Sequence, residues 1–339
     1  MEKCLELAKK GQGKTSPNPL VGCIILNEKE EIISEGFHEK YGEFHAERNA
    51  LNNIENVEGG TLVVNLEPCC HHGKTPPCTD IIIEKGIKKV IYGMQDPNPI
   101  IGGKGLQVLK DAGIEVIGPV LENKCKNLNE IFIKNQTKKQ TFVAIKTATT
   151  IDGKISTENG NSKWITSEKS RSEVRNIRQK YDAILTSSST VIADNPTMEH
   201  RNKIILDRNL NTDINSNIYK NGLIYVFHDE NLDIENNNEN IRYIKTPVSN
   251  NKLEIEFILN KLFEYGIMSV LVEAGGMLNE SMLPFADKLY HFIAPKILGD
   301  NNGKSCFYGD KKNLISECTS LEFSEIQTFD TDILLIYNK

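Results

Sequence analysis

The sequence predicts an α/β protein of two domains, and three observations carry that expectation. The chain has 339 residues, more than one hydrophobic core usually organises. Short apolar runs of strand length alternate with stretches of helical periodicity through both halves. The alternation pauses once, in a polar, lysine-containing helical stretch, and restarts at Phe142. A boundary near residue 140 follows, with domains over 1–140 and 141–339.

In the first half, residues 1–10 form an amphipathic helix without the apolar core of a secretory signal. Residues 20–27 and 32–37 read as strands, 45–53 as a helix, and 61–66 as a buried strand ending at Glu67-Pro68. A helix over 78–85 starts just after Pro77, and 89–94 is a further strand. Residues 96–99 and 101–105 make a turn-rich connection. The Gly102-Gly103-Lys104-Gly105 run lacks the spacing of either nucleotide fingerprint and reads as a loop and helix start. A helix near 106–112, a strand over 114–117 and one polar helix over 121–138 complete this half.

The second half offers a strand over 142–148, a helix over 167–181, and strands at 183–186, 203–206 and 223–227. A helix over 251–265, a strand over 268–272 and two late strands near 289–294 and 333–337 follow. Residues 229–240, rich in Asn and Glu, read as a solvated loop. No internal repeat is apparent.

Composition narrows the function. The formal net charge of −6 argues against a polynucleotide partner, because proteins that embrace nucleic acid neutralise phosphates with a basic surface. No apolar run approaches the length of a membrane span, so no membrane partner is expected. Reduced thiols in a metal motif point to the cytoplasm.

That motif is His45-Ala46-Glu47 with Pro68-Cys69 and Pro77-Cys78. One imidazole and two thiolates make three protein ligands, and catalytic zinc keeps its fourth tetrahedral position for water. A carboxylate two residues after the histidine suits a proton shuttle, and H-x-E with P-C marks nucleobase deaminases. The two cysteines here stand farther apart than the usual C-x-x-C. Positions two apart on a helix point in nearly opposite directions, so His45 and Glu47 can serve one metal only if it sits off the helix's N-terminal end. Of the adjacent Cys69 and Cys70, Cys69 directly follows proline and is the better ligand; the other five cysteines show no paired spacing.

The second half has no metal motif. Its candidate site lies where strands end in small or polar residues: Thr147–Gly153, Ser162–Thr166, Thr186–Thr190 with 193–196, and Val272–Gly276. Open α/β sheets bind ligands beyond the carboxyl ends of their strands, which fits a nucleotide. Gly275-Gly276 starting a helix could cradle a phosphate, although Gly-Gly after a strand is usually a turn.

Several segments together resemble a known family over nearly the whole chain. The runs 15–23, 36–38, 45–47, 66–78, 96–99 and 103–105 look like the deaminase half of the bifunctional riboflavin-biosynthesis deaminase-reductases. Thr150–Lys154, Ser162–Thr166, 193–196 and Val272–Gly275 are similar to the reductase half. The resemblance implies a cytidine-deaminase-like three-layer α/β domain followed by a dihydrofolate-reductase-like α/β domain. It implies Zn2+ and NADPH as cofactors and a small phosphorylated pyrimidine as substrate. Two steps are implied: hydrolytic removal of the 2-amino group of 2,5-diamino-6-(5-phosphoribosylamino)pyrimidin-4-one, then reduction of its ribosyl group to ribityl.

By the same resemblance, His45, Cys69 and Cys78 hold zinc, Glu47 is the catalytic proton shuttle, and Asn18, His38, His71 and Lys74 meet the deaminase substrate. In the reductase half, Lys146, Ala148, Trp164, Thr190 and Asp194 meet NADPH, together with the run Gly275, Gly276, Met277, Leu278, Asn279, Glu280 and Ser281. Ser162, Arg178, Met198, Arg201 and Glu273 line the second substrate site. For Arg178, a place on a solvated charged helix is the competing reading. A second reading of the whole chain keeps the deaminase and makes the reductase half a degenerate scaffold, motivated by a short segment after Arg201. The sequence leaves a homo-oligomer open.

Overall fold

The computed structural model describes the chain except for Asn53, Asn56, Lys74, Thr75, Ile100, Asn236, Asn237 and Lys311. It divides into two compact units, Met1–Lys139 and Gln140–Lys339. Both are mixed α/β, the class that the alternating pattern predicts. Among the described residues no helix is long and apolar enough to cross a membrane.

The first unit runs α1 (Glu2–Lys9), β1 (Gly22–Leu26), β2 (Ile32–Phe37), α2 (Ala46–Asn52), β3 (Thr61–Val64), α3 (Cys78–Glu84), β4 (Lys89–Tyr92), α4 (Lys104–Asp111), β5 (Glu115–Ile117), α5 (Glu122–Leu128) and α6 (Glu130–Lys138). Its sheet has the order β2-β1-β3-β4-β5. β1 is antiparallel to both neighbours, and β3, β4 and β5 are parallel. Successive strand residues point to opposite faces. Cys23, Ile25, Leu62 and Val64 therefore join Ala50, Leu51, Ile81 and Ile82 on one face, while Ile24 and Val63 meet Cys4 and Leu7 of α1 on the other. Helices cover both faces, giving three layers. Gly36 lets α2 lie against β2, since a Cβ there would come within 2.4 Å of the Ala50 nitrogen.

The single helix predicted over 121–138 is two helices, α5 and α6, broken at Asn129. Asn129 is buried, and its side chain takes the Leu20 N–H at 2.8 Å and donates to the Leu20 carbonyl at 3.0 Å. A side chain satisfied by distant backbone competes with helix continuation. Polarity alone gave no sign of the break.

The second unit comprises β6 (Phe142–Thr150), β7 (Lys154–Ser156), α7 (Glu168–Arg178), β8 (Ala183–Ser187), α8 (Ser188–Asp194), β9 (Asn202–Leu206), β10 (Leu223–Asp229), β11 (Ile241–Thr246), β12 (Val248–Ser249), β13 (Lys252–Leu253), α9 (Ile255–Glu264), β14 (Ser269–Val272), α10 (Gly276–Met282), β15 (Lys288–Ala294), β16 (Lys304–Ser305), β17 (Glu322–Phe329) and β18 (Asp332–Asn338). The main sheet has the order β11-β10-β9-β8-β14-β6-β15-β18-β17. It is parallel from β11 to β15 and antiparallel at β18 and β17. The short strands β7, β12, β13 and β16 escape the sequence reading, and so do three longer elements. β17 is mostly exposed and shows no apolar alternation, and β11 follows an Asn-rich loop. α8 grows from a serine run in which the Ser187 hydroxyl caps the Thr190 N–H. The helix predicted over 251–265 begins only at Ile255, because Lys252–Leu253 pairs with Val248–Ser249.

Candidate active sites

His45 lies immediately before α2, and Glu47 lies in that helix's first turn. This meets the geometric condition that the metal sit off the N-terminal end. Cys69 follows β3, and Cys78 is the first residue of α3, entered from an extended Pro77. The two cysteine segments are tied together: the Cys78 N–H points at Cys69 Sγ at 3.4 Å, and the Thr79 N–H donates to the Cys69 carbonyl at 3.1 Å. A long intervening segment thus returns its second cysteine to the first.

His45 Nδ1 stands 3.5 Å from Cys69 Sγ and 3.4 Å from Cys78 Sγ, and the three ligand atoms all lie within 4.8 Å of one another. Zinc bonds of about 2.0 Å to nitrogen and 2.3 Å to sulfur at a tetrahedral angle place N and S about 3.5 Å apart. The donor set and spacing therefore fit zinc. Cys70 is outside the cluster. The Cys69 thiol is lowered to about 4, chiefly because the Cys78 thiol donates to it and secondarily by His45; Cys78, the donor, is raised. Glu47 is buried, and that burial, with the Cys69 charge, pushes its carboxyl up to about 7.

A cavity of about 330 Å³ opens on this cluster, lined by Asn18, His38, His45, Glu47, Cys69 and His71 among others. Buried His38 holds Phe44 O at 3.0 Å through Nδ1, so Nε2 is left to accept from Asn18 Nδ2 at 3.1 Å. Burial lowers the His38 pKa, favouring the neutral ring. The structure thus gathers every deaminase-site residue named from the sequence except Lys74, which lies outside the described residues.

Sequence reasoning missed Glu67. Its buried carboxylate accepts from the backbone N–H groups of Asp96 (3.1 Å), Gly103 (2.8 Å) and Gly105 (2.9 Å), with Leu106 at 3.4 Å. It fastens the 96–105 connection and the start of α4 beside the metal cluster. Gly105 must be glycine, since a Cβ would sit 2.0 Å from the Pro68 carbonyl oxygen. A carboxylate next to the metal-binding Pro-Cys, with a glycine-rich helix start downstream, was the available signal.

In the second unit, β6, β14 and β8 are adjacent parallel strands, and the register sets Ile145 and Leu185 beside Val272. Buried Glu273 follows the last residue of β14. Arg178 grips it through Nε at 2.6 Å and Nη2 at 3.1 Å, and Lys146 Nζ lies 3.1 Å away. Burial alone would raise Glu273, but Lys146 and then Arg178 hold its carboxyl down to about 2. Arg178 is therefore not on a solvated face: its side chain is 22% exposed.

Ala148 lies farther along β6, and Thr190 and Asp194 lie on α8, which grows directly from β8. Gly275 caps α10 and would meet nothing within 4 Å of an added Cβ, so open space lies beside it. Gly276 packs against the Ser305 carbonyl. Met277 is exposed, Leu278, Glu280 and Ser281 are half-buried, and buried Asn279 donates to the Ala274 and Cys306 carbonyls. Trp164 is exposed with the Arg171 guanidinium 4.4 Å from its ring centroid. Ser162 is half-buried, and Met198 is buried. Arg201 stands apart: it pairs with Asp182 at 3.1 Å, at the N-terminal ends of β8 and β9 and a strand's length from Ser187.

Two family models match the chain: the cytidine and deoxycytidylate deaminase zinc-binding region over residues 1–94 and the RibD C-terminal domain over 141–335. The riboflavin biosynthesis protein RibD of Actinobacillus pleuropneumoniae is 39% identical, over 99% of this chain and 94% of that protein. A diaminohydroxyphosphoribosylaminopyrimidine deaminase/5-amino-6-(5-phosphoribosylamino)uracil reductase from Thermotoga maritima, a solved structure, is 38% identical with a TM-score of 0.88, covering 100% of this chain and 97% of that one. RibD from Acinetobacter baumannii, also solved, is 32% identical with a TM-score of 0.88, covering 99% and 97%.

A zinc deaminase domain joined to a reductase domain defines a bifunctional enzyme, hydrolase and oxidoreductase in one chain, with zinc and NADPH as cofactors. The chain belongs to the RibD family of riboflavin-biosynthesis deaminase-reductases. The reading of its second half as an inactive scaffold is not favoured.

Proposed function

We propose that the first unit removes the 2-amino group of 2,5-diamino-6-(5-phosphoribosylamino)pyrimidin-4-one, and that the second reduces the resulting ribosylaminouracil to its ribityl form. The observation that carries the first step is the meeting of His45, Cys69 and Cys78 beside a buried carboxylate in one cavity. Zinc on these three residues supplies a water activated near neutral pH. Glu47, whose carboxyl sits near neutrality through burial, takes a proton from water and returns it to the ring nitrogen and the departing ammonia. Water adds at the ring carbon, its C–N bond to the amino group breaks, and ammonia carries away the proton. Neutral His38 with Asn18 offers a fixed polar edge for the pyrimidine, and His71 stands at the same cavity. Lys74 is retained as a candidate contact to the phosphate.

In the second unit, bound NADPH would supply a hydride to the sugar C1 of the ring-opened imine, while the imine nitrogen takes a proton from solvent to become the ribityl amine. The residues that would hold the dinucleotide are Ala148, Trp164, Thr190, Asp194 and the Gly275–Ser281 run; open space beside Gly275 supports this fit. Lys146 would stand beside the dinucleotide, and its ion pair with Glu273, which Arg178 also grips, supports a substrate wall of Arg178 and Glu273 with Ser162 and Met198. Arg201, paired with Asp182 at the opposite ends of β8 and β9, is not a substrate contact in this scheme. A thiolate ligand set supports a reducing compartment, the cytoplasm. Exposed Phe323 and Ile326 on the outermost strand β17 support self-association, which light scattering tests.

The two sites are separable by metal. Chelation is expected to abolish ammonia release, with zinc restoring it, while reduction of supplied 5-amino-6-(5-phosphoribosylamino)uracil continues. Ammonia release that survives complete zinc removal would overturn the scheme.

A further inference from the structure

Helix α6 presents to the deaminase cavity a stripe that has no part in the metal cluster. Asn129, Phe132 and Gln136 lie at i, i+3 and i+7, which helical geometry puts on one face. The first of them is fixed in place, because the Asn129 side chain holds both backbone polar groups of Leu20. The neighbours of Leu20, namely Asn18, Pro19 and Val21, line the cavity, and so do Phe132 and Gln136. Both α6 residues are half-buried. The Gln136 carboxamide makes no hydrogen bond to any described residue, although it borders a cavity of about 330 Å³.

The metal ligands and Glu47 come from the starts of α2 and α3 and from the segment after β3, so α6 builds a separate wall. A substrate whose reacting carbon is held at the ligands must direct its remaining bulk toward walls that carry none. We infer that Phe132 and Gln136 are substrate-binding residues of the deaminase site, with the Gln136 amide donating to the ribose-phosphate arm and Phe132 closing the wall beside it. This rests on the proposed deamination of a phosphoribosylaminopyrimidine in this cavity. A carboxamide meets a phosphorylated arm with hydrogen-bond donors and no charge of its own. The wall also lies beyond residue 94, where the zinc-binding family match ends.

The test is steady-state ammonia release by the full chain and by Gln136→Ala, Gln136→Glu and Phe132→Ala, on the phosphorylated substrate and on its dephosphorylated nucleoside. Loss of one hydrogen bond to a charged phosphate predicts a KM higher by about 10-fold or more for Gln136→Ala, with little change in kcat. Gln136→Glu is expected to do worse, because it sets a carboxylate toward a phosphate, and its excess over Gln136→Ala vanishes on the nucleoside. Phe132→Ala is expected to raise KM as well. Zinc content and reduction of the supplied uracil intermediate stay at wild-type levels in all variants. Unchanged KM in both Gln136 variants, an equal Glu penalty on the nucleoside, or zinc loss in either variant would overturn the assignment. Wild-type protein that releases no ammonia would instead overturn the proposed function itself.

Discussion

Glu47 needs a metal that its own helix cannot face broadside, and the chain solves this by placing His45 one residue before α2. Because Glu47 is buried and is not one of the three clustered ligands, Glu47→Gln is expected to keep stoichiometric zinc and lose deamination, a loss of about 10²-fold or more. Cys78→Ala is expected to lose zinc as well, and metal analysis beside ammonia release distinguishes the two. These residues were legible in the sequence because each is a chemically distinctive type at a strand or helix end. Glu67 was not, since its partners are backbone N–H groups that only the folded 96–105 connection supplies. Glu67→Ala strands several of these donors in a buried place, and a loss of about 3 kcal/mol or more is expected in urea unfolding of the first unit.

At the level of elements, strands with buried apolar alternation, such as β1, β3 and β14, could be read directly. β17 could not, because its outward residues include Phe323 and Ile326 and its polar residues follow no face. The α5–α6 break hid for a different reason: Asn129 is an ordinary residue in a polar helix until its partner Leu20, 109 positions away, is known. Asn129→Ala removes two hydrogen bonds and strands the Leu20 N–H, while the Leu20 carbonyl keeps the Asn65 amide at 2.9 Å. It is expected to cost about 1–3 kcal/mol, read as a lower urea midpoint, and to weaken deamination while reduction of the uracil intermediate is unaffected.

For the molecule as a whole, buried ionisable groups tie fold to chemistry in both units. In the second unit, the folded Glu273 carboxyl lies at about 2 against an ordinary 4.5. Its stabilising contribution is fully present above about pH 4.5 and is lost as the pH falls toward 2; the shift corresponds to about 3 kcal/mol. Glu273→Gln is expected to lower stability at neutral pH, leaving Lys146 and Arg178 without their counter-charge, and to flatten the acid limb between those pH values, followed by circular dichroism. An unchanged acid limb would remove the ion cluster from the account. The division of labour along the chain was legible from the metal motif and the restarted α/β pattern. The reductase site was legible only by resemblance, because its residues are common types gathered from several strand ends.

The central claim is that both reactions occur on one chain, and the most direct measurement is the ratio of NADPH oxidised to ammonia released when purified protein turns over the diaminopyrimidine substrate. The account predicts ammonia release with or without NADPH, and one NADPH oxidised per ammonia when the reductant is present. Ammonia release with no NADPH oxidation, even when the uracil intermediate is supplied directly, would contradict it.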